Sequence, residues 1–146
     1  MIQTKNTIII NKNIDKVFEI ATDFERYPEF IPTYKKVKII EKNADNMIIE
    51  RLGMAGGKEI TWRSLVKLEK NKSITAEQLA GPIRGMKIEW LFEEVGNTTK
   101  ITLIHNFEYK KIPLIGPIIG KFIVAKIVYK MADETLKAIK NRVEAR

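Results

Sequence analysis

The chain has 146 residues, with 26 lysine and arginine residues against 18 aspartate and glutamate residues, and a net charge of +8 at pH 7. It contains no cysteine and one histidine, His105. This excludes disulfide scaffolds, cysteine nucleophiles and iron–sulfur clusters, and it argues against imidazole-based metal sites. Hydrophobic residues make up 45% of the chain, which is too much for intrinsic disorder and enough for a core. We therefore expect one domain over residues 1–146, in a reducing cytoplasm.

The positive charge comes mainly from lysine. Twenty of the 26 basic residues are lysines, and they are spread along the chain rather than clustered. Sites for nucleic acids or anionic membranes are typically compact and rich in arginine. We interpret most of the charge as a solvated surface and do not expect a nucleic-acid partner.

The first third of the chain predicts a strand followed by two short helices. Residues 4–10 are largely β-branched, which favours a strand. Asn13 is a candidate N-cap, and apolar residues then recur at helical spacing as far as Ala21. Pro28 and Pro32 exclude a long helix in the next segment and indicate a short, compact one.

From residue 34 to residue 107 the pattern changes to strands. Turn-like segments separate closely spaced β-branched and aromatic runs, which predicts an antiparallel meander. The predicted strands cover residues 35–41, 47–52, 59–68, 74–79, 87–93 and 100–107. Alternation places Trp62 and Ser64 on one face of their strand and Trp90 on one face of another. We expect these faces to point inwards.

A long amphipathic helix is predicted over residues 118–144. Its apolar residues keep helical spacing over many turns, so one face must be buried against a partner. The sheet is the only large surface available for that purpose. The predicted fold class is α+β, with seven antiparallel strands wrapped around this helix and two short helices after the first strand.

Several motifs resemble the helix-grip superfamily, which includes START lipid-transfer domains, the birch-pollen-allergen proteins and the polyketide aromatase/cyclases. Residues 17–32, VFEIATDFERYPEFIP, are similar to the opening signature of the polyketide cyclase/dehydrase and coenzyme-Q-binding branch. Residues 62–64, 90–92 and 102–108 extend the resemblance over nearly the whole chain. It implies a deep apolar cavity between sheet and helix, where relatives hold lipids, quinones, hormones or polyketide chains.

Inward-facing side chains are the candidates to line this implied cavity. They combine aromatic rings with a few polar groups, as ligand pockets usually do. The candidates are Tyr34, Trp62, Ser64, Met86, Trp90, His105, Phe107, Phe122 and Tyr129. The alternative is that the tryptophans simply fill a core, where large aromatic residues also dominate.

A catalytic function depends on an arginine. Trp62-x-Ser64 resembles the Trp-x-Ser-x-Arg strand of polyketide aromatases, in which the arginine is implied to polarise the chain during ring closure. Val66 stands at the position of that arginine, and alternation points Arg63 to the opposite face. Arg51 is a possible substitute from a neighbouring strand. The candidate catalytic residues are Ser64, His105, Arg51 and Arg63.

Three functions stay open. The preferred one is a protein that binds a hydrophobic small molecule such as a lipid, a quinone or a polyketide-like chain, with no metal or cofactor. The second is a cofactor-independent cyclase or dehydratase, and the third is a ribosome- or RNA-associated protein. The apolar segment 114–120, with lysines beside it, further predicts a lid, or a transient contact with an anionic membrane through residues 110–121.

Overall fold

The computed structural model describes residues 1–108 and 120–145, and its elements follow the predicted order. The strands are β1 (Ile2–Ile10), β2 (Tyr34–Lys42), β3 (Met47–Ala55), β4 (Lys58–Glu69), β5 (Ser73–Ala80), β6 (Lys87–Val95) and β7 (Thr98–Phe107). The helices are α1 (Ile14–Ala21), a short 3₁₀ helix (Phe24–Glu29) and α2 (Lys121–Glu144). The predicted lid and membrane contact, apart from their last residues, lie outside the described residues.

All seven strands form one sheet, in the order β1-β7-β6-β5-β4-β3-β2. Every neighbouring pair is antiparallel. The meander from β2 to β7 follows from short turns between successive strands, and β1 adds to the far side of β7. The predicted α+β helix-grip architecture, including the short helices after the first strand, is confirmed.

Helix α1 begins where the sequence places its cap. The side chain of Asn13 accepts a hydrogen bond from the backbone N–H of Lys16 at 3.0 Å, which satisfies one of the donors that a helix N-terminus leaves open. Val17 and Phe18 then turn inwards and are buried. The ring of Phe18 meets Phe92 edge-on, with 5.0 Å between ring centroids. Helix α1 thereby fixes one end of the core.

The turn between β3 and β4 is tighter than its glycine-rich sequence indicates. The predicted strands end at residue 52 and resume at residue 59, but in the structure both continue until only Gly56 and Gly57 separate them. Their φ angles are +59° and +80°, and a two-residue hairpin turn of this kind needs positive φ at both positions. A Cβ added to Gly56 would lie 2.9 Å from Cδ1 of Ile127. The hairpin tip therefore touches α2.

Helix α2 packs differently along its length. In its C-terminal half, Leu136, Ile139 and Val143 are at most 2% exposed and belong to one core cluster with α1, β6 and β7. In its N-terminal half, Val124 and Val128 form a smaller cluster at the other end of the sheet. None of the helices in the described part of the chain combines the length and the apolar character needed to span a bilayer.

Candidate functional site

A cavity of about 140 Å³ lies between α2 and the inner face of the sheet. Its wall is largely apolar, with aromatic rings from β2, β4 and β6 and aliphatic side chains from β3 to β7. Helix α2 closes it with Val124, Ile127, Val128, Met131, Ala132 and Thr135. The space therefore occupies the position where a sheet and a helix normally bury a continuous core.

The guanidinium group of Arg51 lies on the cavity wall. Its Nη1 donates a hydrogen bond to Oγ of Ser64 at 3.1 Å, and its Cζ lies 6.0 Å from the ring centroid of Phe24. Arg51 is directly opposite Trp62 in the pairing of β3 with β4, so both side chains share the inner face. Of the two candidate arginines, Arg51 is the one that the strands turn towards the cavity.

Ser64 and Gln78 extend this polar wall onto the next strands. They are paired across β4 and β5, and they are 2% and 4% exposed. Oε1 of Gln78 accepts a hydrogen bond from the backbone N–H of Ile83 at 2.8 Å. Gln78 is not among the predicted lining residues, although it shares the inner face with Ile74 and Ala76 at strand spacing, and that spacing could have indicated it.

Comparison of the sequence with known protein families gives a match over most of the chain. The sequence model of a family described as polyketide cyclase/dehydrase and lipid transport matches residues 10–134. The chain belongs to this family. A proposed polyketide cyclase of Streptomyces cyaneus is 29% identical over 112 residues, which are 73% of this chain and 73% of that protein. The ribosome association toxin RatA of Vibrio cholerae is 23% identical over 110 residues, or 75% of this chain and 76% of that protein.

Solved structures show the same architecture. The crystal structure of the Zhui aromatase/cyclase from Streptomyces sp. R1128 superimposes with a TM-score of 0.90 at 21% identity. The match covers 98% of this chain and 93% of that one. At this identity the likeness establishes the fold. The predicted resemblance to the polyketide cyclase/dehydrase family is confirmed, the fold is the helix-grip fold, and the comparisons do not single out the coenzyme-Q-binding branch.

The cavity of this family member brings together six of the nine predicted lining residues. Five of them come from four strands, β2, β4, β6 and β7, where alternation turns every second side chain inwards, and Met86 immediately precedes β6. These residues are Tyr34, Trp62, Ser64, Met86, Trp90 and His105. The rings of Tyr34 and Trp62 are 5.9 Å apart between centroids and form one aromatic corner of the wall.

The other three predicted lining residues lie elsewhere, which corrects that part of the prediction. Phe107 is 3% exposed but packs with Val124 and Val128 in the small cluster beside the cavity. Phe122 is 80% exposed and Tyr129 is 48% exposed. Both lie off the face of α2 that meets the sheet, because successive helical residues are separated by 100°. Helical spacing alone did not reveal which face the sheet covers.

Arg63 lies outside the cavity, so its candidacy as a cavity residue is also corrected. Its Nε is 2.8 Å from Oε2 of Glu50 across the outer face of β3 and β4, and its side chain is 52% exposed. The reason is the strand period, since Arg63 lies between the inward-facing Trp62 and Ser64. The sequence-based expectation that Arg63 points to the opposite face agrees with this position.

His105 faces the cavity from β7. Burial lowers the pKa of His105 to about 4, because an apolar environment disfavours the charged imidazolium. Nδ1 of His105 is buried without a hydrogen-bond partner among the described residues. Thr4, which is paired with His105 across β1 and β7, likewise has a buried hydroxyl without a partner. The imidazole is therefore neutral at pH 7.

Tyr27, another titratable residue on the inner wall, forms a hydrogen bond within the fold. The hydroxyl of Tyr27 donates a hydrogen bond to the backbone carbonyl of Ala21. Burial raises the pKa of Tyr27 far above its usual range, so the phenol stays protonated. Among residues 1–108 and 120–145, no group of three or more histidine, aspartate or glutamate side chains is arranged to hold a metal ion.

Proposed function

We propose that this protein binds a hydrophobic small molecule in the cavity between the sheet and α2. The observation that carries the proposal is the cavity itself. Protein interiors contain few voids larger than a water molecule, whereas this one measures about 140 Å³ and has a mainly apolar wall. An engineered apolar cavity of about 150 Å³ in another protein takes up benzene.

The size of the cavity narrows the choice of ligand. A volume of about 140 Å³ suits a body of one or two fused rings, or a short branched alkyl group. A long lipid or an extended polyketide chain would need the walls to move apart. The aromatic corner formed by Tyr34 and Trp62, together with Trp90, favours planar apolar bodies because offset or edge-on ring contacts add to their burial.

A cavity-filling variant and a neutral probe test the proposal. We expect purified protein to bind 2-methylnaphthalene, as measured by quenching of tryptophan fluorescence and by calorimetry. Ala76 faces the cavity, so Ala76→Leu should weaken binding at least tenfold. Ala80→Leu is the matched control, because it adds the same side chain to an exposed position of the same strand.

Two outcomes would contradict the binding proposal. One is that 2-methylnaphthalene and a panel of other one- and two-ring hydrocarbons all fail to bind. The other is that Ala76→Leu and Ala80→Leu bind the probe equally well, which would place the probe outside the cavity.

A second candidate function is a cofactor-independent cyclase or dehydratase. Arg51 favours it, because a guanidinium on the cavity wall can polarise a ketone oxygen. His105 supports it less, since a base whose conjugate acid has a pKa of about 4 is weak at neutral pH. Because His105 is a weak base at neutral pH, ligand binding rather than catalysis is the leading proposal.

The cyclase candidate has a direct assay. Heptane-2,4,6-trione closes to an aromatic diol with loss of one water molecule, and the new ring can be followed by absorbance. A catalyst should accelerate this reaction, and Arg51→Met should reduce the rate at least tenfold while Arg63→Met leaves it unchanged. A rate equal to that of buffer alone would rule out the candidate for this substrate class.

A further inference from the structure

Three polar residues that carry hydrogen-bond donors lie together on one side of the cavity wall. Arg51, Ser64 and Gln78 lie on three adjacent strands, β3, β4 and β5, and all three line the cavity. Ser64 is paired directly with Gln78, and Arg51 lies two residue pairs further along on the same face and donates to Ser64 at 3.1 Å. These three residues are called the donor patch below.

The hydrogen bonds within the donor patch determine which of its donor groups remain available to a ligand. Because Oγ of Ser64 already accepts from Arg51, its hydroxyl proton is available to another acceptor. The partner of Gln78 is the backbone N–H of Ile83, a donor, so the contacting atom must be the amide oxygen. The amide NH₂ of Gln78 then has no hydrogen-bond partner among the described residues.

Arg51 also lacks a counter-charge. In the part of the chain that the structure describes, no carboxylate lies within 4.0 Å of its guanidinium. The nearby acidic residues of the strands pair outside the cavity, Glu50 with Arg63 and Glu59 with Lys35. Among residues 1–108 and 120–145, no aspartate or glutamate lines the cavity. A partly buried cation in an apolar wall is unfavourable unless an anion or several acceptors meet it.

We propose that the donor patch is the head-group site for an apolar carboxylic acid, bound as its carboxylate. This inference rests on the proposed function, because the apolar body of the ligand occupies the same cavity. A carboxylate has two acceptor oxygens and one negative charge. It therefore matches the single positive charge of Arg51 and the leftover protons of Ser64 and Gln78.

Charge and volume define the class of acid. A phosphate monoester carries nearly two negative charges at pH 7, and the patch offers only one positive charge to compensate them. The cavity of about 140 Å³ limits the body to one or two rings or a short alkyl chain. The predicted ligands are therefore aryl and short-chain alkyl carboxylates, with the carboxylate at β3–β5 and the apolar body towards Trp90 and α2.

A matched pair of ligands tests the head-group site. 2-Naphthoate and 2-naphthamide share one apolar body and differ in charge, and 2-methylnaphthalene provides the body with no polar group. In calorimetric titrations at pH 7 we expect the unmodified protein to bind the acid at least tenfold more tightly than the amide. Arg51→Met should remove this preference and leave the affinity for 2-methylnaphthalene within threefold.

Two further variants isolate the role of the donor patch. Gln78→Leu should weaken binding of the acid about threefold to tenfold, because one donor is lost and the charge remains. Arg63→Met removes an arginine from the outer face of the same sheet and should leave every affinity unchanged. The melting temperature of each variant shows that it folds, and Arg51→Met removes an uncompensated charge, so its fold should be retained.

The possible results separate this inference from the proposed function. If none of the three naphthalenes binds, the proposed function fails. If 2-methylnaphthalene binds but the acid binds no more tightly than the amide, the cavity binds ligands and the head-group site is wrong. If the acid preference survives in Arg51→Met, the donor patch is likewise overturned.

Discussion

The interface between the sheet and α2 is densely packed at one end and encloses a cavity at the other. At the end near α1, Phe18 and the C-terminal half of α2 meet the sheet, and Ile101 and Ile139 are fully buried. At the end formed by β3–β5, small side chains such as Ala76 and Ala132 line a cavity. The packed end gains stability from contacts, whereas the cavity end leaves part of its wall without partners.

This difference shows that the packing of a sheet against a helix does not by itself decide whether a solid core or a cavity forms between them. Helix α1 supplies the side chains that complete the packed end, whereas the 3₁₀ helix contributes Phe24 and Tyr27 to the cavity wall and leaves the space unfilled. The polar donors Arg51 and Gln78 occupy the same wall. We therefore expect mutations at the packed end to change stability and mutations at the cavity end to change binding.

The largest expected effect is a truncation at the packed end. Ile139→Ala removes buried methyl groups at a position with no exposed surface, and it should lower the free energy of unfolding by about 2–5 kcal/mol. Val128→Ala, on the cavity wall, should cost less than half as much because its side chain already borders unfilled space. Urea denaturation measures both. Equal losses would contradict the contrast between the two ends.

The next largest effect is a pH dependence caused by His105. Its pKa of about 4 in the folded state lies below the usual 6.5, so the unfolded chain takes up the proton first. The free energy of unfolding should therefore fall as the pH drops from about 6.5 to about 4, by up to about 3 kcal/mol. Denaturation at pH 7 and pH 4.5 measures this loss. His105→Leu should reduce it, and an unchanged pH profile in that variant would refute the assignment.

An over-packing pair distinguishes the two ends directly. Ala21 has no exposed surface at the packed end, so Ala21→Leu should destabilise the protein by about 1–3 kcal/mol. Ala76→Leu places the same side chain in the cavity and should change stability by less than about 1 kcal/mol. Thermal melting compares the two variants. A larger loss for Ala76→Leu would mean that the cavity is closed or already filled.

The smallest effect is expected on the outer face of the sheet. Arg63→Met breaks the ion pair with Glu50, in which the two side chains are 52% and 35% exposed. Pairs of this kind contribute less than about 1 kcal/mol. Stability measured at low and high salt should differ from that of the unmodified protein only slightly. A loss above 2 kcal/mol would show that the arginine has a structural role beyond this pair.

Sequence patterns were sufficient to place side chains and helix ends where the physical rule involves only neighbouring residues. Strand alternation correctly placed Trp62 and Ser64 inside and Arg63 outside, because neighbouring side chains of a strand must point in opposite directions. The cap at Asn13 was equally readable, because an Asn before a helical apolar pattern satisfies its first N–H groups.

Sequence patterns failed where the answer depends on distant partners. Residues 47–49 of β3 are consecutive apolar residues, so the direction of Arg51 could not be read from alternation. Which face of α2 meets the sheet depends on how strands far away in sequence pair, and Phe122 and Tyr129 were misplaced for that reason. Gln78 was missed because a polar residue in a strand usually faces water.

The position of strand β2 indicates a second role for some of the lysines, besides solubility. It is the outermost strand on its side of the sheet, and the register of its pairing with β3 shifts at two places. Lys36 and Lys38 are exposed on it, and the carboxylate of Glu25 accepts the backbone N–H of Ile39 at 3.0 Å. Irregular pairing, positive charge and a capped amide each discourage a foreign strand from adding to an open edge. The lysines of β2 thus help to protect the open edge of the sheet against aggregation.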